Sequence, residues 1–229
     1  MKAARDIWVV IPAYNEANHL AKVIAGVKRY ATNIAVVDDG SSDSTYGVAK
    51  RAGVHALRHI VNLGKGAALK TGCDFAVQQG ASCIIAIDAD GQHDPKDIPR
   101  FLDELRNADI VFGYRRFSAD MPLILKFGNI FISAAASVLY GLKLRDTQCG
   151  YRAFTAAAYK KIRWKSLDYG VESEMIANAG KHNLKYAEVG IKTIYSDKYK
   201  GTTVLDGIKI VFNMLLWKLR ASGSNGNGV

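Results

Sequence analysis

The sequence predicts an α/β domain built on a mostly parallel sheet. Short β-branched apolar runs alternate with helical stretches through the first half, the pattern of βαβ units. Several of those runs end in polar clusters, "PAYNE", "DDGSSD" and "DADGQH", and parallel sheets bind ligands outside the carboxyl ends of their strands. A length of 229 residues suits one sizeable domain with an appendage.

In chain order, "IWVVIPAY" reads as the first strand, and "EANHLAKVIAGVKRYA" as a helix with Leu20, Val23, Ile24 and Val27 on one face. "NIAVVDD" is the second strand, followed by a helix from Ser44 to Ala52, and "VHALRHI" is the third. The glycine-opened "GKGAALKTGCDFAVQQG" is a helix; without GxxxxGK[ST] it is no Walker A loop, and it places Lys65 near a nucleotide. "CIIAIDADGQH" is a fourth strand, "DPKDIPRFLDELRN" a helix with Pro in its first turn, and "ADIVFGYRR" a fifth strand. Beyond Arg116 come an apolar segment at 121–142, a polar turn "KLRDTQCGYRAF", a helix near 171–181 and a strand "YAEVGIKTIY". Residues 1–203 form one domain, 204–220 an amphipathic helix and 221–229 a flexible tail.

Lys and Arg total 31 against 21 acids, a net charge of +10 that suits phosphates or an anionic membrane face. Cys73, Cys83 and Cys149 lack CxxC spacing, which argues against a disulfide framework or zinc site and for a reducing compartment. No signal peptide is legible. Segments 121–142 and 204–220 are too short or too interrupted by charge to span a bilayer, yet each has an apolar side. Leu205, Ile208, Val211, Phe212, Leu215, Leu216 and Leu219 recur at helical spacing beside Lys209, Lys218 and Arg220. That composition fits a helix in the interface of an anionic leaflet, or one packed on the sheet. The expected location is the cytoplasm, peripheral on the cytoplasmic face of the membrane.

Paired acids at strand ends suggest chemistry. Asp88 and Asp90 are i and i+2, so on an extended backbone both point to one side with Gln92 after them. Three oxygen ligands then converge, as hard divalent cations prefer. An acidic rim on a basic protein is costly unless it binds a cation or hydrogen-bonds a base or sugar. Nucleic acid is not an expected partner, because the acidic rim would repel a polyanion and no RNP-like aromatic pattern occurs. A dinucleotide-binding dehydrogenase is disfavoured too, since no GxGxxG follows the first strand. His19, His55, His59, His93 and His182 show no metal-ligand spacing and read as structural or exposed.

Taken together, "IPAYNE", "VVDDGSSDST", "NLGKGAAL", "IDADGQHDP", "FGYR" and "RDTQCGYRAF" resemble the family 2 glycosyltransferases of the GT-A fold. The resemblance is closest to the polyprenyl-phosphate (dolichyl-phosphate) mannose or glucose synthases and covers about residues 7–200. It implies that Pro12, Tyr14 and Glu16 line the nucleotide, that Val37 and Asp39 hold the base, and that Asp38 fixes the turn. Asp88 and Ala89 match positions around the ribose and diphosphate. Asp90 matches the principal ligand of Mg²⁺ or Mn²⁺, with Asp88 and Gln92 in support.

Arg115 matches an arginine that meets phosphate, so Asp90 and Arg115 carry the catalytic expectation. Where family members carry an R-x-x-G-x-S-K type loop, this chain has "SDKYKGTTV", in which Lys198 and Lys200 supply charge to the diphosphate. Glu172 and Glu174 match acidic positions near the acceptor, or are a solvent-facing helix start. Arg152, Lys126 and Arg145 are candidates for an acceptor phosphate. The implied reaction is inverting transfer of mannose or glucose from GDP-mannose or UDP-glucose to a polyprenyl or dolichyl phosphate at the membrane surface. The alternative is the same fold acting on a soluble or glycan acceptor.

Overall fold

A computed structural model describes residues 6–115, 123–168, 170–192 and 211–218. Its elements begin β1 (Ile7–Ala13), α1 (Ala17–Val27), β2 (Asn33–Asp38), α2 (Thr45–Arg51), β3 (His55–Arg58), α3 (Lys65–Gln78) and β4 (Cys83–Ala86). A 3₁₀ turn at Pro95–Asp97 leads into α4 (Ile98–Glu104) and β5 (Ile110–Arg115). Then follow α5 (Leu123–Tyr140), β6 (Arg152–Thr155), α6 (Ala156–Ile162), α7 (Val171–Lys181) and β7 (Tyr186–Ile191), with residues 211–218 again helical.

The strands form one sheet in the order β3-β2-β1-β4-β6-β5-β7. All neighbours are parallel except β6, which runs antiparallel to β4 and β5. The chain steps outward from β1 to β3 and then returns to the other side of β1 with β4. This reversal leaves a crevice at the carboxyl ends of β1 and β4, where open α/β sheets bind ligands.

Apolar runs read as nearly continuous because the sheet is covered on both faces. Trp8, Val10, Ile84, Ile110 and Phe112 point to the face covered by α3, α5, α6 and α7. Their neighbours Val9, Ile11, Ile85 and Val111 point to the face covered by α1, α2 and α4. Pro12 fits inside β1 for a local reason. Val10 O accepts from Ile87 N at 3.2 Å on the β4 side and Ala13 O from Asp39 N at 2.8 Å on the β2 side. By alternation, the N–H that Pro12 lacks would point into the crevice, where β4 has already ended at Ala86.

The "KLRDTQCGYRAF" stretch is more than a turn, because its end forms β6 and Thr155 then caps α6 by accepting from Ala158 N at 3.0 Å. Sequence patterning misses β6 because the strand is four residues long and starts on a charge. Arg152 is only 1% exposed, so it cannot hold an acceptor phosphate. Its guanidinium instead donates to the carbonyls of Cys149 (3.0 Å), Thr147 (2.9 Å) and Glu172 (2.7 Å) and lies over the Phe112 ring.

The C-terminal helical segment packs one side inward and leaves another out. Met214 is buried, Val211 and Trp217 pack on the core, and Tyr140 donates its hydroxyl proton to Met214 O at 2.6 Å. Phe212 and Leu215 remain exposed, as do Phe131 and Val138 on α5. No helix among the described residues is long and apolar enough to cross a membrane.

Gly72, inside α3, marks how closely helix and sheet approach, for a Cβ there would overlap Val10 Cγ1 and press on Val37 Cγ2. Gly72→Ala should therefore destabilise the fold by about 1–3 kcal/mol despite alanine's better helix propensity. Urea denaturation measures this, and trimming Val10 to Ala in the same chain should recover part of the loss.

Candidate active site

Two loops at the crevice are stitched together before any ligand is considered. Asn15 takes a positive φ of 54° at the end of β1, and its side-chain Oδ1 accepts from Ser42 N at 3.0 Å. In return Asn15 N, Glu16 N and Ala17 N donate to Ser41 Oγ (2.8 Å), Thr45 Oγ1 (2.9 Å) and Asp43 Oδ2 (3.1 Å). The hydroxyls and carboxylate of "SSDST" thus satisfy the orphan N–H groups at the start of α1, besides turning the chain into α2. Glu16 pairs with His19 at 3.0 Å, and Tyr14 is exposed beside it.

Asp38 and Asp39 both have structural partners. The Asp38 carboxylate accepts from Ser41 N at 3.2 Å and pairs with Arg58 Nε at 3.0 Å. Asp39, 2% exposed, accepts from Leu63 N (3.0 Å) and Gly64 N (2.8 Å), and its Oδ1 lies 2.7 Å from His59 Nδ1. The His59 ring is fixed in turn by Thr71 Oγ1 at 3.0 Å. The carboxylate expected to face a base therefore also clamps the loop that leads to α3. Val37 is fully buried under Gly72, so its side chain belongs to the core.

From that clamp the chain enters α3 at Lys65, between two close-packed glycines. A Cβ on Gly64 or Gly66 would run into the backbone of Ser166 and Leu167, and Trp164 Nε1 donates to Gly66 O at 2.8 Å. Held this way, Lys65 Nζ sits 2.8 Å from Asp88 Oδ1 and 2.9 Å from Glu172 Oε1. Gly150 backs onto the same group, since a Cβ there would lie 2.5 Å from Asp88 Oδ2 and 2.9 Å from Lys65 Nζ. The glycines of "GKG", read as the opening of a helix, and of "QCG", read as part of a turn, pack around this one ammonium.

The acidic strand end departs from the extended geometry expected of it. β4 ends at Ala86 and the chain turns at Ala89 and Asp90, with Ala89 buried and Gly91 at φ 76°. Asp90 Oδ1 accepts from Gln92 N at 2.9 Å. Burial opposes the charge on Asp88, but the Lys65 ammonium, with help from His93 and Arg115, outweighs it and holds the carboxyl below the usual aspartate range. Asp90 moves the other way, raised first by burial and then by the neighbouring Asp88 charge. A carboxylate raised for those reasons gains from a cation placed beside it.

His93, read as structural in the sequence, belongs to this cluster: Nδ1 is 3.8 Å from Asp88 Oδ2, and burial lowers its pKa. Both His93 Nδ1 and Glu172 Oε2 are buried without a hydrogen-bond partner among the described residues. The orphaned His93 Nδ1 beside Asp88 and the raised Asp90 fit a bound cation.

Among the described residues, no three His, Cys, Asp or Glu side chains group as a self-contained metal site. Mg²⁺-type ions take one or two carboxylates and complete their shell with substrate phosphates and water. Asp90 and Asp88 are the residues that would hold such an ion.

Arg115 is closed on a carboxylate: Nε and Nη2 donate to Asp146 at 2.6 and 3.1 Å. Its charge is still felt at Asp88, so any phosphate contact is made from within this pair. Glu172 and Glu174 are buried and do not form a solvent-facing helix start. Glu174 accepts from Lys165 N, Ser166 N and Ser166 Oγ at 2.6–2.9 Å and so holds the loop before α7. Arg145 is exposed against Tyr114 and Glu188. Lys198 and Lys200 lie outside the described residues, as does the Lys126 side chain.

The family model for glycosyl transferase family 2 matches residues 8–163. An uncharacterized protein of Methanocaldococcus jannaschii is 40% identical over 225 residues, 93% of each chain. The UDP-N-acetylglucosamine–dolichyl-phosphate N-acetylglucosaminyltransferase of Methanococcus voltae is 34% identical over 95% of this chain and 98% of its own. Glucosyl-3-phosphoglycerate synthase from Mycobacterium tuberculosis shares the GT-A-type fold, with a TM-score of 0.74 at 20% identity over 97% of this chain and 81% of that one. That enzyme has been crystallised with Mn²⁺ and UDP.

Asp39→Asn swaps an acceptor oxygen for an amide that faces existing donors. The variant should lose about 1–3 kcal/mol of stability in chemical denaturation even without nucleotide. An unchanged midpoint would show that the carboxylate does not hold the β3–α3 loop.

Proposed function

The chain belongs to glycosyltransferase family 2, and on that premise we propose that it moves a hexose from a nucleoside diphosphate to a polyprenyl phosphate at a membrane surface. The carrying observation is the raised carboxyl of Asp90 beside Asp88 at the β1–β4 crevice, an arrangement that favours a divalent ion and its diphosphate. The methanococcal relative is named for a UDP-sugar donor and a dolichyl phosphate acceptor, which favours UDP-hexoses and extends the donor class to 2-acetamido sugars. GDP-mannose stays within the proposed range.

Asp39 and the stitched β1 and β2 loops present the base side, and Asp90 with Asp88 the diphosphate side. A divalent cation bound there supplies charge neutralisation to the leaving diphosphate. The acceptor is already an anion, so the attacking phosphate oxygen needs no proton removed and displacement at the anomeric carbon inverts it. Glu172 and Glu174 therefore serve as structure rather than as a general base in this reading. Arg115 adds positive potential behind Asp88.

Membrane contact is supported by exposed apolar side chains on two helices that pack against one core. Phe131 is 58% and Val138 85% exposed on α5, and Phe212 is 60% exposed on the C-terminal segment. With a net charge of +10, this surface suits the anionic cytoplasmic leaflet. Replacing Phe212 and Leu215 with Ser should weaken flotation with anionic vesicles while leaving nucleotide binding intact.

Sugar transfer is tested directly with labelled UDP-glucose, UDP-N-acetylglucosamine and GDP-mannose, polyprenyl phosphate in vesicles, and Mn²⁺. Label should enter the lipid phase with at least one donor, and Asp90→Ala should abolish it with the fold retained. Transfer to a water-soluble acceptor, with the lipid inert, would replace this reading by the soluble-acceptor one.

A further inference from the structure

Lys65 is placed with more care than a surface-seeking side chain requires. Gly64, Gly66 and Gly150 each leave no room for a Cβ around it, and Trp164 pins the adjoining turn. Its ammonium is shared between Asp88, at the end of β4, and Glu172, in the first turn of α7. Two carboxylates within 3 Å make it their shared counter-ion. Lys65 and Asp88 nonetheless keep 21% and 22% of their side chains exposed, whereas Glu172 keeps 7%. The Asp88 end of the bridge is thus open to an incoming ion, and the Glu172 end is enclosed.

We propose that Lys65 is a built-in counter-ion that competes with the divalent cation for Asp88. Without metal, the ammonium neutralises a carboxylate that would otherwise repel Asp90. When the ion arrives, Asp88 is released to it, and Lys65 keeps its place and its charge through Glu172, whose second oxygen has no hydrogen-bond partner among the described residues and can accept the N–H that Asp88 gives up. Glu172 is then a positioning residue: it sets how strongly Lys65 holds Asp88. The ion site gains a threshold, being weak for free metal and favoured when a diphosphate brings further ligands.

This inference rests on the proposed divalent-ion site, and Mn²⁺ binding followed by electron paramagnetic resonance on the full chain tests it without turnover. Lys65→Met should tighten binding of Mn²⁺ alone on the order of tenfold, since one positive charge leaves the site. Glu172→Gln should weaken it severalfold, because the ammonium then rests wholly on Asp88. In the Lys65→Met background, Glu172→Gln should change affinity by less than about twofold, as expected if it acts through the lysine.

Equal effects of Glu172→Gln in both backgrounds would overturn the competition and leave only a general field. If Lys65→Met fails to fold, Glu172→Gln alone decides: unchanged or tighter binding refutes the proposal. Mn²⁺ that binds the wild type but ignores Lys65→Met refutes it as well. Absence of Mn²⁺ binding by every form, with UDP present, removes the ion site itself and this inference with it.

Discussion

The Lys65 ammonium, 2.8 Å from Asp88 and 2.9 Å from Glu172, joins three parts of the fold that are distant in sequence. It ties the start of α3 to the end of β4 and to the first turn of α7. Buried ion pairs are poor stabilisers, because desolvation offsets most of the attraction, and an apolar cluster of equal volume serves stability as well. What the bridge gives instead is position. Asp88 is fixed at the crevice, α7 is brought against the start of α3, and the loops around Gly64 and Gly150 close on the Lys65 ammonium.

Around this bridge the site is a graded set of carboxylates. Asp39, Asp146 and Glu174 are saturated by donors from the chain itself, and Asp38 is paired with Arg58 and Ser41 N. Asp88 is held by Lys65, and Asp90 is left with a backbone N–H and a raised pKa. Negative charge thus accumulates at the one point of the rim where an ion and a diphosphate would meet. The other acids shape the walls. Such an arrangement explains how an acidic rim persists on a protein whose net charge is +10.

Much of this was legible in the sequence. The βαβ alternation gave β1 to β5 with their helices, because β1, β2, β4 and β5 are apolar runs covered on both faces and the short, partly exposed edge strand β3 falls between two legible helices. The polar strand ends located the crevice. Patterning did not reveal β6, which carries a buried arginine that serves backbone carbonyls, nor the enclosed roles of Glu172 and Glu174. A charged residue looks the same in a sequence whether water or a partner elsewhere in the chain solvates it. Val211, Met214 and Trp217 illustrate the same limit for apolar residues, since the C-terminal stripe is read from spacing but its inward side is set by Tyr140 and α5.

In the proposed function Asp90, supported by Asp88, is where a divalent ion meets the donor's diphosphate. Anomalous diffraction at the manganese edge, from crystals grown with Mn²⁺ and UDP, measures this most directly. A single strong peak is expected in coordination contact with the Asp90 carboxylate, between the carboxyl ends of β1 and β4, with the diphosphate completing the shell. A peak elsewhere on the chain, or UDP bound in the crevice with no metal beside Asp90, would contradict it.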